Sequence, residues 1–288
     1  MRVAVIGSGR VGTALAVLLS RAGHRIVGVT GRDATAVRAA TWLPDVPVIE
    51  SAGAVALAEV VLFGVPDDAL RPVAADVAAA GAVPQGLWVA HLSGAAGLEV
   101  LDPLVAAGAR RLAAHPLQTF ADVEGAIDAI PGSRIAVTAD DEDGFTLGER
   151  LASDVGAIPF RLLDEERPLY HAAAVFASNY LVATSAVADR LFAAAGVPEP
   201  LAAMHPLQEA TLSNVLRLGP EAALTGPAVR GDASTIERNL AALAARAPDV
   251  VPAYVALCRT ALGIGRRSGR LDDERAAAVE AILERWDR

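Results

Sequence analysis

The chain has 288 residues, enough for about two domains, and carries 25 basic against 34 acidic residues for a formal net charge of −9. All 25 basic residues are arginine, which excludes Schiff-base chemistry, pyridoxal attachment, a P-loop and a lysine general acid. The acidic balance argues against nucleic acid as a main partner, and the single cysteine, Cys258, can form no internal disulfide and is too little for a metal cluster, so a reducing, cytoplasmic setting is expected.

In chain order, short apolar runs at residues 2–6, 25–29, 46–49, 60–65, 87–91, 111–114 and 134–137 read as strands, with Ala-rich segments of helical period between them. That alternation predicts a doubly wound, mostly parallel α/β sheet of the Rossmann type. After about residue 165 the pattern becomes helical, at 168–195, 201–217, 235–245, 250–267 and 272–286, with Gly196 and Gly219 as stops and Asp272 as an N-cap. Pro159 and the acidic turn Asp164, Glu165, Glu166 interrupt both patterns. The expected domains are therefore 1–160 (dinucleotide-binding) and 161–288 (all-helical). The apolar start is too short for a secretory signal. The longest uncharged run, residues 77–98, is broken by Pro84 and four glycines, so no membrane span is expected.

Residues 7–12 read GSGRVG, so Gly7, Gly9 and Gly12 have G-x-G-x-x-G spacing between a β-branched strand and a helix whose Val11, Leu15, Leu18, Leu19 and Ala22 share one face. Gly7 permits the turn, Gly9 the approach of a pyrophosphate and Gly12 close helix–strand packing, while free helix N–H groups hold the anion. Ser8, Arg10 and Val11 join these glycines as candidate cofactor contacts. The second strand runs into Thr30, Gly31, Arg32 and Asp33. Thr30 and Arg32 suit a 2′-phosphate, which favours NADP; Asp33 stands about where an NAD binder places its acid and keeps NAD open. Val65 and Pro66, at the end of the fourth strand candidate, are plausible walls of the same site.

Two later strand ends carry polar residues that a plain core does not need: His91, Leu92, Ser93, Gly94, Ala95, and then His115, Pro116, Leu117, Gln118, Thr119, Phe120. With no lysine, His115 is the best titrating group for the proton that accompanies hydride transfer, and Ser93 its expected partner. His91 reads more readily as structural. In the first long helix His171, Val175, Ser178, Asn179 and Val182 share a face, and Asn179 and His171 are candidate substrate contacts. Residues 225–232 form a rigid loop in which Arg230 either anchors an anionic substrate or pairs with Asp232, itself a candidate cap. The Arg-Gly-Asp string carries no adhesion reading in a cytoplasmic chain, and Arg266, Arg267 and Arg270 read as a helix-end surface patch.

The GSGRVG, HLSGA, HPLQTF, YHAAAVFASNY and TGPAVRGD stretches together resemble a bacterial family of Rossmann-like proteins with a C-terminal domain of unknown function, number 2520 in its series. That family looks like a branch of the 6-phosphogluconate and β-hydroxyacid dehydrogenase superfamily, which includes prephenate dehydrogenases, pyrroline-5-carboxylate reductases and ketopantoate reductases. The resemblance implies NAD(P) binding, a helical dimerisation domain and an active site in the interdomain cleft. Ser93 and His115 occupy places similar to the catalytic serine and histidine of prephenate dehydrogenases. Asn179 matches an asparagine that follows a catalytic lysine in many members, and that lysine position is Val175 here.

The function expected is an NADP-dependent oxidoreductase for a small oxo or hydroxy carboxylate, ketopantoate-like substrates included. His115 would handle the proton, Ser93 and Asn179 would orient the oxygen, and Gln118, His171, Arg230 and Asp232 would line the substrate. The alternative is a nucleotide-binding regulatory or sensor module without turnover. The Ala-rich helical half suggests close helix packing in a homodimer.

Overall fold

The computed structural model describes residues 1–32 and 34–287. Strands β1 (Arg2–Ile6), β2 (Arg25–Thr30), β3 (Val60–Phe63), β4 (Trp88–His91), β5 (Arg110–Leu117), β6 (Arg134–Ala139) and β7 (Ile158–Arg161) form one sheet in the order β2-β1-β3-β4-β5-β6-β7. All neighbours are parallel except β5 and β6. Helices α1 (Arg10–Arg21), α2 (Thr35–Trp42), α3 (Ser51–Leu57), α4 (Asp67–Ala79), α5 (Asp102–Ala106), α6 (Val123–Ala129) and α7 (Glu142–Asp154) connect the strands. Val3 and Val5 of β1 join one buried cluster with α1, α6 and α7, and Ala4 and Ile6 join the other with α3, α4 and α5. Period-two alternation thus feeds two cores, as a sheet covered on both faces requires.

Further helices are α8 (Arg167–Ala177), α9 (Asn179–Ala194), α10 (Pro200–Leu218), α11 (Pro220–Ala223), α12 (Pro227–Arg230), α13 (Ala233–Arg246), α14 (Val251–Arg267) and α15 (Asp273–Trp286). Contacts divide the chain into Met1–Asn179 and Tyr180–Arg288. The second unit has its own core, centred on Ile236, Leu240, Val255, Leu262, Val279 and Leu283 from α13, α14 and α15. Asp272 caps α15 as expected, its carboxylate accepting from Arg275 N–H at 2.8 Å. The sequence boundary falls before α8, whereas α8 packs with the first unit because Arg167 is buried there.

Several expectations are corrected. Residues 46–49 form only an isolated bridge, Val48 to Val29, because Pro47 has no N–H to extend a ladder. The strand β7 contains Pro159, which the sequence reading took as a break; on an edge strand a missing N–H costs little. The strand expected at 111–114 continues through Leu117, so His115 and Pro116 lie within β5, paired with Ala136 and Ile135, and not in a following loop. The helix expected over 168–195 breaks at Ser178 (φ −126°, ψ −67°), so Asn179 opens a new helix and the supposed continuous face ends there. Serine and asparagine compete with helical hydrogen bonds and favour such junctions. From Gly12 to Leu19 α1 is buried all round, not on one face only.

Candidate functional site

The strand order reverses between β1 and β3, and a crevice opens where their carboxyl ends diverge. A cleft of 1380 Å³ occupies this position, lined by Gly7, Gly9, Thr30, Arg32, Val65 and Pro66 among others. Gly7 has φ +85°, and a Cβ there would stand 2.5 Å from Val65 Cγ1. A Cβ on Gly12 would stand 2.7 Å from the Gly7 carbonyl oxygen, whereas nothing lies within 4 Å of the corresponding place at Gly9. The open space at Gly9 coincides with the start of α1, which no side chain caps. The chain therefore offers exposed backbone and unclaimed helix N–H groups, a setting that suits a pyrophosphate.

Not every loop residue faces the cleft. Arg10, Val11 and Gly12 are absent from its lining; Arg10 is exposed and Val11 packs on the core. Ser8 lines the cleft, but its hydroxyl is buried against Thr13 Oγ1 at 2.8 Å. Arg32 is exposed at the cleft, and Asp33 lies outside the described residues. The sequence reading missed Thr35, Arg38 and Ser51. Arg38 Nε donates to the Ser8 carbonyl at 2.8 Å, and Ser51 Oγ stands 3.4 Å from Thr30 Oγ1. Gly64 was also missed: a Cβ there would be 2.8 Å from Gly7 O and 3.4 Å from Gly12 Cα. Only tertiary contact reveals these roles.

A second constellation forms at the carboxyl end of β4 and along β5, within the same unit. His115 Nδ1 is 2.8 Å from Tyr170 Oη, with the rings edge-on at 5.6 Å. The Ser93 hydroxyl oxygen instead accepts from Ala95 N–H and Ala96 N–H, at 3.1 and 3.0 Å. The partner of His115 is thus Tyr170, a residue to which the sequence reading gave no role. Gly94 separates two imidazoles: a Cβ there would be 2.9 Å from His115 Nε2 and 2.9 Å from His171 Nδ1. Of the other candidates, Gln118 is exposed past β5, its Oε1 accepting from Thr119 N–H, and Asn179 is exposed at the start of α9.

Arg167 is the buried charge of this region, with no exposure. Its guanidinium donates to the carbonyls of Ser93 and Ala96 and, at 3.0 Å, to Thr138 Oγ1. Burial lowers its pKa, while Asp164 and then Tyr170 oppose the shift. Burial first, and the Arg167 charge second, push His115 down to about 4 and His91 down to about 3. Tyr170 is raised by burial to about 12. All three side chains are therefore neutral near pH 7. His91 is fully buried with neither ring nitrogen hydrogen-bonded, although the Gly97 backbone is placed to favour its cation.

In the second unit Arg230 pairs with Asp232 at 2.7 Å, the alternative that sequence reading left open. Both line a cavity of 530 Å³ with Arg270 and Arg275. Arg270 donates to the Leu224 carbonyl at 2.8 Å and to that of Glu221.

A Rossmann-like domain model matches residues 1–116, and a model described as a domain of unknown function (DUF2520) matches residues 133–261. No protein of curated function matches the sequence. Among solved structures, the chain is similar to a Bacteroides fragilis protein assigned as an NADP oxidoreductase, with 24% identity and a TM-score of 0.77 over 91% of this chain and 98% of that one. It is also similar to a variant imine reductase from Myxococcus stipitatus in complex with NAD+, at 18% identity and TM-score 0.63, covering 100% and 99% of the two chains. A reductive aminase from Aspergillus terreus in complex with NADPH and ethyl levulinate gives 19% identity and TM-score 0.61, over 99% and 92%. At these identities the likeness establishes the fold. Among the described residues no helix is long and apolar enough to cross a membrane.

Proposed function

We propose that this chain, which belongs to the family joining a Rossmann-like domain to DUF2520, is an NAD(P)-dependent oxidoreductase that favours NADP(H) and acts on a small oxo or hydroxy carboxylate. The observation that carries this reading is Gly9, whose open face meets the uncapped start of α1 in the large cleft. The backbone of Gly7 and Gly9 would hold the pyrophosphate, and Val65 and Pro66 would wall the adjoining ribose. Arg32, Arg38 and Thr30 would meet the 2′-phosphate. Bound there, the nicotinamide supplies or accepts the hydride. His115, within β5 past its last pair with β4, and His171, on α8, would contact the reacting oxygen.

Fluorescence titration with NADPH and NADH tests the cofactor assignment. Arg32→Ala is expected to weaken NADPH by about tenfold and NADH by less than about twofold; equal losses would remove the phosphate role. NADPH oxidation by a panel of 2-oxo acids tests turnover, and tight binding without any turnover would favour the regulatory or sensor module.

The second unit supports a further proposal, a homodimer. No residue of α9 is buried, and of α10 only Met204 is. Val182, Leu207 and Leu216 are 67, 63 and 88% exposed. So many exposed apolar side chains on two charge-poor helices suit an isologous interface with a second copy. Light scattering is expected to give twice the chain mass of 29.5 kDa, and Val182→Glu with Leu216→Glu to give the monomer. A monomeric wild type at micromolar concentration would refute the interface.

A further inference from the structure

The 530 Å³ cavity of the second unit has no part in the oxidoreductase reading. Its volume falls within the range of small-molecule pockets, about 300–1,000 Å³. Three stretches build it: the loop 224–232 around α12, the turn after α14 and the first turn of α15. Gly231 brings them together. It has φ +74°, and a Cβ there would stand 2.6 Å from Arg275 Cβ, so its absence lets the Arg275 stem lie against the loop. Gly226, also in the lining, has φ +117° and nothing within 4 Å of the corresponding place.

The charge of the cavity is opposite to that of the chain. Arg230, Arg270 and Arg275 line it against one acid, Asp232, in a protein of net charge −9. Arg230 commits Nε and Nη2 to Asp232, at 2.9 and 2.7 Å, and keeps Nη1. Arg275 Nε lies 3.4 Å from Asp272. Arg270 differs from both. Among the described residues it pairs with no carboxylate and donates instead to neutral oxygens: the Leu224 carbonyl at 2.8 Å, the Glu221 carbonyl, and Ser268 Oγ at 3.1 Å. These bonds hold the guanidinium in place, so little side-chain entropy remains to be lost on binding. A guanidinium has five N–H groups, so two of its donors stay available. Thr225 adds further donors. Among the described residues, its hydroxyl, its N–H and the N–H of Gly226 make no hydrogen bond.

Donors thus reach one concavity from three elements. A planar carboxylate takes its fork of donors from one side, whereas a tetrahedral phosphate accepts from several directions. The excess of positive charge matches a dianion. We propose that this cavity binds a phosphate group, with Arg270, Arg275 and Thr225 as its contacts and Arg230 held toward it by Asp232. The site lies wholly within the second unit, and the proposal does not rest on the oxidoreductase reading.

The full chain is titrated with inorganic phosphate at an ionic strength held constant with sodium chloride. Binding is followed by calorimetry and by the backbone amide resonances of Thr225, Gly226 and Gly231. A dissociation constant of about 1 mM or below is expected, with shifts at these amides. Arg275→Gln and Thr225→Val, both at exposed positions, are each expected to weaken binding by about five- to tenfold with a wild-type urea midpoint. Arg270→Gln is expected to lose more and also to lower the midpoint, because it releases the loop carbonyls. The dinucleotide cleft offers phosphate another place, and Arg32→Ala separates the two: it is expected to leave the shifts at Thr225 and Gly226 unchanged. Glycerol 3-phosphate distinguishes the source. Affinity equal to or above that of phosphate supports a phosphate group carried on a small molecule, and its exclusion supports free phosphate. The proposal fails if phosphate moves none of these amides, or if chloride at equal ionic strength moves them alike. It fails equally if the dicarboxylate succinate binds more tightly, or if Arg275→Gln and Thr225→Val both bind phosphate as the wild type does.

Discussion

Lowering the pH from about 7 to about 4.5 is expected to destabilise the first unit by about 3–5 kcal/mol, with His91 as the largest single contributor. The sign follows from the direction of the shifts. His91 is pushed down to about 3 and His115 to about 4, so both stay neutral in the folded chain while the unfolded chain takes up protons below about 6.5. Stability is therefore full above that value. It falls as pH decreases and stops falling below each folded pKa. Each pH unit in the window costs about 1.4 kcal/mol per fully buried group; His115, only partly buried, contributes less. Asp141 and Glu142, whose carboxyls are held low chiefly by hydrogen bonds from Arg110 and Arg161, act in the same direction at lower pH. The comparison with His91→Leu isolates the histidine. Urea unfolding of this variant is expected to be clearly flatter between about pH 6.5 and 4.5 than that of the wild type. Parallel curves would mean that His91 gains its proton without unfolding, contrary to its burial.

The parts of this arrangement legible in the sequence are those that local chemistry dictates. Residues 2–6 and the glycines after them read correctly because a β-branched run, a turn and a helix start all lie within a dozen positions. The same locality explains why Asp272 was recognised as a cap. The misreadings share a different cause. Pro159 looked like a break because the sequence does not say that β7 is an edge strand. Arg167, to which sequence reading assigned no role, follows three acidic residues, and folding places it between the Ser93 turn and Thr138, where it is fully buried. His115 and Tyr170 are 55 positions apart, so no spacing rule joins them, and Ser93 was the nearer choice. Its hydroxyl is already occupied by its own turn, a competition that backbone geometry decides. Composition removes lysine chemistry from consideration, but says nothing of which other side chains folding brings together.

The glycines around the cleft separate stability from binding, and two substitutions of equal size are expected to behave oppositely. At Gly64 an added methyl would stand 2.8 Å from the Gly7 carbonyl oxygen and 3.4 Å from Gly12 Cα. These neighbours are backbone, joined to β1 and α1, and cannot swing aside as a flexible side chain would. Gly64→Ala is expected to destabilise the fold by about 1–3 kcal/mol and to displace the Gly7 turn, so dinucleotide affinity falls with stability. Gly9 is different. Its φ of −78° suits any residue, and nothing in the protein lies within 4 Å of its missing Cβ. Gly9→Ala should fold with a wild-type urea midpoint, because nothing in the chain needs that space. The methyl would nevertheless occupy the ground a pyrophosphate must enter, and NADPH affinity is expected to fall by about 100-fold. A Gly9→Ala protein that binds NADPH as the wild type does would show that the phosphates pass elsewhere, and the cleft would lose its assignment. The contrast between the two variants, read by urea unfolding and NADPH fluorescence on the same samples, distinguishes a glycine that serves the fold from one that serves the ligand.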